Sequence, residues 1–260
     1  MSGTIKHVPK TKKELQRLIK DDIPGDQIDI RHITDMRNLF KNSTYNHPLD
    51  SWDVSHVKTM TGMFARSKYN HPLGSWDVSQ VKSMINMFYM SQYNYPLDSW
   101  NVSQVESMEG MFVCSQYNHP LDSWDVSQVE SMDRMFSESE YNHPLGSWDT
   151  SKVLNMIDMF FNSQYNHPLG SWDVSHVADM SYMFEESQYN HPLDSWDVSQ
   201  VKSMNGMFYR SQYNHPLSSP DGTSWNVSQV QSMNGMFEDS QYTDPLPSWY
   251  DNYVSRNYHT

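Results

Sequence analysis

Nine tryptophans stand at 52, 76, 100, 124, 148, 172, 196, 225 and 249, separated by 24 residues everywhere except one interval of 29. A fixed period of this length marks a chain built from one supersecondary unit used many times. Each interval reads approximately W-D-V-S-x-V-x-S-M-x-x-M-F-x-x-S-x-Y-N-H-P-L-x-S, and a degenerate first unit opens at Ile28, with Ile30, Ile33, Met36, Leu39 and Phe40 in the matching places. The nine units span residues 28–248. One unit holds too few apolar side chains to offset the entropy of ordering its own backbone. Its stability has to come from drying its face against the next unit.

Within a unit, the stretch 73–81 (LGSWDVSQV) alternates so that Trp76 and Val78 share one face and Ser75, Asp77 and Ser79 the other, the pattern of a short strand. Val81, Met84, Met87 and Phe88 then follow at spacings of three and four, the stripe of a helical piece of about two turns. The YNHPL block turns the chain back, because proline lacks an N–H and holds the residue before it extended. The expected fold class is α/β, a right-handed solenoid of nine leucine-rich-repeat-like coils, each a short parallel strand plus a short helix. Residues 1–27 form a basic segment and a capping helix, in which Thr11 and Glu14 make a capping-box pattern and Leu15, Leu18 and Ile19 an apolar face. Residues 28–248 are the repeat array, interrupted by an insertion at 218–224, and residues 249–260 are an aromatic cap carrying Trp249, Tyr250, Tyr253 and Tyr258.

The chain carries 31 acidic and 18 basic side chains, for a net charge of -13. Six of the basic residues and a single acidic one fall within residues 1–20, so the repeat body is the acidic part. A surface of that sign repels phosphate and argues against nucleic acid as a partner. Cys114, the single cysteine, excludes an intramolecular disulfide or a cysteine zinc site and reads as an inert thiol. With neither a long apolar run nor a secretory leader, the expectation is no membrane insertion and a cytoplasmic protein.

Stacking like on like turns each polar repeat position into a column. Asp53, Asp77, Asp125, Asp149, Asp173 and Asp197, with Asn101 and Asn226, lie beside a serine two residues on. They read either as turn-forming Asp-x-Ser units or as an acidic recognition stripe for a basic partner or divalent cations. His47, His71, His119, His143, His167, His191 and His215 read as packing and hydrogen-bonding rings, with pH response or metal binding as alternatives. A column of asparagines from Asn46 to Asn214 reads as a structural ladder. Because every His, Asp and Ser of interest recurs in nearly every unit, no unique catalytic constellation exists, and neither an enzyme nor a cofactor is expected. The expected contact surface joins the Asp and Ser columns to Arg66, Arg134, Glu138, Glu185, Glu186 and Arg210, where the repeat varies.

The block WDVSQVKSMNGMF followed by YNHPL resembles the BspA-like surface-protein repeat, a relative of leucine-rich repeats in which WDVSxVxxMxxMF precedes FNxPL. The resemblance covers residues 28–248, and KTKKELQRLIKDDI is similar to the short helical cap before such arrays. It implies a non-catalytic adhesion or protein-binding module, of the kind found on bacterial surfaces and in large DNA viruses, and, with no export segment, a cytoplasmic or virion-associated location in place of a secreted one. Tyr and His stand here where that family usually has Phe and Gln. The function expected is therefore that of an interaction or structural module binding a protein partner, with an ion-binding solenoid as the alternative.

Overall fold

The computed structural model describes residues 6–218, 225–243 and 245–258. Helix α1 (Lys12–Lys20) begins at Thr11, whose hydroxyl accepts the Glu14 N–H at 3.2 Å. The Glu14 carboxylate reaches back to the Lys10 N–H at 2.8 Å, one residue earlier than a closed capping box requires. Leu15 and Ile19 are buried against the first coil. The other end carries a helix the repeat pattern does not announce, α2 (Ser248–Tyr258). In it Trp249 stacks on Trp225, Tyr250 stands edge-on to Phe237, and the Tyr253 hydroxyl donates to Asn234 Oδ1 at 2.7 Å.

Between the caps, equivalent residues of successive coils lie against each other. Phe40, Phe64, Phe88, Phe112, Phe136, Phe160, Phe184, Phe208 and Phe237 form a continuous file, with centroids 5.3 to 5.9 Å apart. Each Phe also contacts the Tyr of its own coil, as in Phe136 with Tyr141 at 4.4 Å. The indole N–H of Trp76 donates to the carbonyl of Leu49 in the preceding coil, and Trp100, Trp124, Trp148, Trp172 and Trp196 repeat the bond with Leu73, Leu97, Leu121, Leu145 and Leu169. Those carbonyls also accept the backbone N–H of the Trp three residues on, so one leucine oxygen ties two coils. Among the described residues 219–224 of the insertion do not figure, but the register resumes beyond them: Trp225 Nε1 reaches Leu193 O at 3.1 Å.

The backbone differs from the strand-plus-helix expectation at both places. Among the described residues the pairing between coils consists of isolated parallel bridges in a single column, Asp35, Thr59, Ser83, Ser107, Ser131, Asn155, Asp179, Ser203 and Ser232. That column lies after the W-D-V-S segment and not within it. Trp76 and Val78 do face inward and Asp77 outward, but the segment closes tight turns on itself, with Trp76 N–H to Leu73 O and Val81 N–H to Val78 O.

The expected helical piece is a ribbon of consecutive turns. The N–H groups of Met84, Asn86, Phe88 and Met90 donate to Ser107, Glu109, Met111 and Val113 of the next coil, whereas those of Met87, Tyr89 and Ser91 donate three residues back. Left-handed backbone at Asn86 and Met90, repeated in the same two columns of every coil, breaks any helical ladder. Such residues suit the third position of a type II turn. The apolar spacing of three and four still directs Met84, Met87 and Phe88 inward, all fully buried.

Seven tyrosines, Tyr69, Tyr93, Tyr117, Tyr141, Tyr165, Tyr189 and Tyr213, have no exposed surface. The hydroxyls of Tyr93 and Tyr117 accept the N–H of Leu73 and Leu97 at 3.2 and 3.3 Å. In other coils the leucine amide leans toward the hydroxyl, Leu121 toward Tyr141, outside hydrogen-bond geometry. Tyr93→Phe should therefore cost about 1–2 kcal/mol by stranding a buried amide, while Tyr141→Phe should be neutral or slightly stabilising. Urea unfolding of the two variants separates them, and equal losses would show that the two hydroxyls are equivalent.

Candidate functional site

The polar columns are largely occupied within the molecule. Asp53, Asp77, Asp125, Asp149, Asp173 and Asp197 are exposed, and each accepts the N–H of the serine two residues on at 3.0 to 3.1 Å. Asn101 and Asn226 do the same. The serine hydroxyl and amide hold the carboxyls of Asp53, Asp77, Asp149 and Asp173 below the usual carboxylate range. These are turn-forming Asp-x-Ser units, and among the described residues no strand runs through them.

The Nε2 atoms of His71, His119, His143, His167, His191 and His215 lie 2.7 to 3.1 Å from the carbonyl of the asparagine one coil back. A carbonyl only accepts, so Nε2 carries the hydrogen. The ring of each stands edge-on to the tyrosine two residues earlier, as in His143 over Tyr141. His47 instead meets Asp22 at 3.1 Å. The asparagine side chains make a ladder in which each Oδ1 accepts the N–H of the next Asn, from Asn46 through Asn214, and Thr243 ends it. Among the described residues no three His, Cys, Asp or Glu side chains assemble as a metal ion requires.

What varies from coil to coil is the outer face of the turn ribbon. Its two left-handed columns begin with Asn38 and Asn42, and glycine recurs in the first of them at Gly62, Gly110, Gly206 and Gly235. Glycine leaves room there for the neighbour one coil back. A Cβ added to Gly206 would lie 2.5 Å from the Tyr182 ring, and one at Gly110 would strike the side chain of Asn86.

Two open clefts result. The first, about 370 Å³, is lined by Asn38, Lys41, Gly62, Ala65, Arg66, Asn86, Tyr89 and Arg134 among others. The second, about 460 Å³, has Val113 and Ser137 in its lining together with Tyr89, Phe161 and Tyr182, and its charged groups are Arg134, Glu138, Asp158 and Glu185. They share Asn86, Tyr89 and Arg134.

Of the side chains expected to form a contact surface, Arg134 and Glu185 thus meet in one cleft with Glu138, and Arg66 lines its neighbour, its guanidinium 5.5 Å over the Tyr89 ring. Glu186 pairs with Arg210 at 3.5 Å, and Arg210 also reaches Asp239 at 3.5 Å and covers the Tyr209 ring. Neither cleft includes a member of the Asp column; Asp53 lines a separate hollow with Asp29 and Arg31 near the first coil. Arg134 is held by Glu109 at 3.2 Å. Burial pushes the carboxyls of Asp158 and Glu185 above the usual range, and Glu186 and Asp158 add to the rise at Glu185. Burial also raises the half-buried Cys114 thiol, as suits an unreactive cysteine.

Sequence reasoning missed Lys41, Asn86, Tyr89, Asp158, Phe161 and Tyr182. The signal was present, since all occupy the two columns and their neighbours where the repeat has no consensus.

Four overlapping stretches, 10–119, 91–191, 113–219 and 162–258, match the family described as Mycoplasma protein of unknown function, DUF285. No curated protein matches the chain. Among the described residues no helix is long and apolar enough to cross a membrane.

Proposed function

The chain belongs to the DUF285 family of Mycoplasma repeat proteins of unknown function, and on that premise we propose that it is a non-catalytic interaction module, a solenoid of the BspA-like kind that binds a protein partner through the variable face of its turn ribbon. The observation that carries this reading is a division of labour. The repeated Asp side chains spend their hydrogen bonds on the serine two residues on, and the repeated Asn and His side chains on the neighbouring coil. The non-repeated ones, Tyr89, Arg134, Tyr182 and Glu185 among them, are exposed or half-buried around open clefts. Exposed aromatics among charges are what protein interfaces use as anchors. Among the described residues no ligand set is brought together for the competing ion-binding reading, and melting curves with EDTA, Ca²⁺ and Zn²⁺ should coincide.

Photo-crosslinking from position 182 or 89, compared with position 77 in the Asp column, tests the assignment in cells that make the protein. One discrete adduct should form from the first two positions; the adduct from 182 should be lost in Tyr89→Ala and that from 89 in Tyr182→Ala, at unchanged melting temperature. Equal labelling from position 77 would place the contact elsewhere.

A further inference from the structure

The two clefts of the variable face differ in charge. The cleft toward the N-terminal coils is bordered by Lys41, Arg66 and Arg134 and by no acidic side chain. The cleft toward the C-terminal coils is bordered by Glu138, Asp158 and Glu185 against the single cation Arg134, which Glu109 already engages. Among the described residues the carboxylates of Asp158 and Glu185 have no hydrogen bond or salt bridge, although both are half-buried. Asn86, Tyr89 and Arg134 line both clefts, so the two are parts of one trough that crosses successive coils and is basic at one end and acidic at the other.

We propose that this trough binds an extended polypeptide segment of the partner in one direction, with an acidic side chain at Lys41 and Arg66, an apolar or aromatic one between Tyr89 and Phe161, and a Lys or Arg at Asp158 and Glu185. The inference rests on the interaction-module reading and deepens it by naming the ligand. Arg66 and Asp158 are four coils apart, about 19 Å at about 4.8 Å per coil. An extended chain covers that span in about six residues, at about 3.3 Å each. A basic side chain at the acidic end would give direct ion pairs to half-buried carboxylates that feel Arg134 and Arg210 only at a distance, and would lie against the rings of Phe161 and Tyr182. The opposed charges at the two ends set direction, since a reversed peptide brings like charges together.

The test is selection of a random 16-residue peptide library displayed on phage against the full chain. Enriched peptides should carry an acidic and a basic residue five to seven positions apart in a constant order. Glu185→Lys with Asp158→Asn, or Lys41→Glu with Arg66→Glu, should each weaken the selected peptides by about tenfold or more. The four substitutions together should select the opposite order. Peptides that enrich and lose binding in Tyr182→Ala but show no charge order, or a spacing of twelve or more, overturn the directional trough and leave the interaction face standing. No enrichment dependent on Tyr89 or Tyr182 overturns both.

Discussion

Raising the pH from 10 to about 11.5 should unfold the protein in one steep transition, with tyrosinate absorbance appearing only as the fold is lost. Burial holds the hydroxyls of Tyr69, Tyr93, Tyr117, Tyr141, Tyr165, Tyr189 and Tyr213 far above their ordinary value of about 10. The sign follows from linkage. A folded value raised above the unfolded one contributes stability that is complete below pH 10 and falls as pH rises toward the folded value, because only the unfolded chain releases the proton. Each withheld proton costs about 1.4 kcal/mol per pH unit above 10, so seven together remove about 10 kcal/mol by pH 11. That equals the whole stability of an ordinary domain. Because Tyr93 through Tyr213 form one stacked file, with Tyr141 6.4 Å from Tyr165 and Tyr165 6.4 Å from Tyr189, one ionisation exposes the next. Spectrophotometric titration followed together with far-UV circular dichroism checks this. Gradual, independent ionisation at an unchanged spectrum would mean that the hydroxyls reach water in the folded state.

The same file shows which part of the structure the amino-acid sequence makes legible. The Trp period located eight of the nine units, and the apolar positions it aligned are the buried ones: Trp76, Val78, Val81, Met84, Met87, Phe88, Tyr93 and Leu97 are at most 3 % exposed. Inward and outward faces depend only on side-chain polarity, which is written in the residue type. The path of the backbone between those faces was not legible from spacing. Intervals of three and four fit one side of a helix, and they fit equally a ribbon of turns that advances one inward residue every three or four positions. What distinguishes the two is the residue that tolerates left-handed backbone. Asn38, Gly62, Asn86, Gly110, Asp158, Gly206 and Gly235 stand in one column and Asn42, Asn162 and Asp239 in the other. Read down the first column, Gly, Asn and Asp name the turn, whereas the second column also holds Arg66, Met90, Cys114, Glu138, Glu186 and Arg210 and does not announce itself by residue type.

The candidate face was half legible for a related reason. Repetition identifies what a coil needs in order to stack, so departures from it mark side chains released from that duty. Arg134, Glu185, Glu186 and Arg210 stood out by charge, whereas Tyr89, Phe161 and Tyr182 were hidden by a chain already rich in aromatics. The Asp column drew notice for its alignment, yet Asp77 and its equivalents are engaged by the serine two residues ahead, a local bond that alignment between coils does not reveal.

Removing one whole period should leave a folded protein, whereas removing half a period should abolish cooperative folding. Deleting residues 125–148 joins Trp124 to Asp149 and restores the same neighbours at every position: Phe112 meets Phe160, Leu121 O exchanges the indole N–H of Trp148 for that of Trp172, and the asparagine ladder closes over the gap. One interface is lost from a stack of near-identical ones, so the melting temperature should fall by only a few degrees. Deleting residues 137–148 sets the polar half of one coil against the Phe and Met of the next, and the loss should exceed about 5 kcal/mol, from the unpaired amides as well as the exposed rings. The chain contains a natural control. The interval from Trp196 to Trp225 is five residues longer than the rest, yet Phe208 N–H still reaches Met236 O at 2.9 Å and Ser203 still pairs with Ser232. Extra residues after the Pro-Leu turn are thus accommodated outside the in-register part. Five residues inserted between Leu145 and Trp148 should accordingly be mild, and the same five between Met156 and Met159 should be as damaging as the half-period deletion. Thermal melts of the four variants decide the matter; equal damage from the whole-period and half-period deletions would show that the coils do not stabilise one another through register.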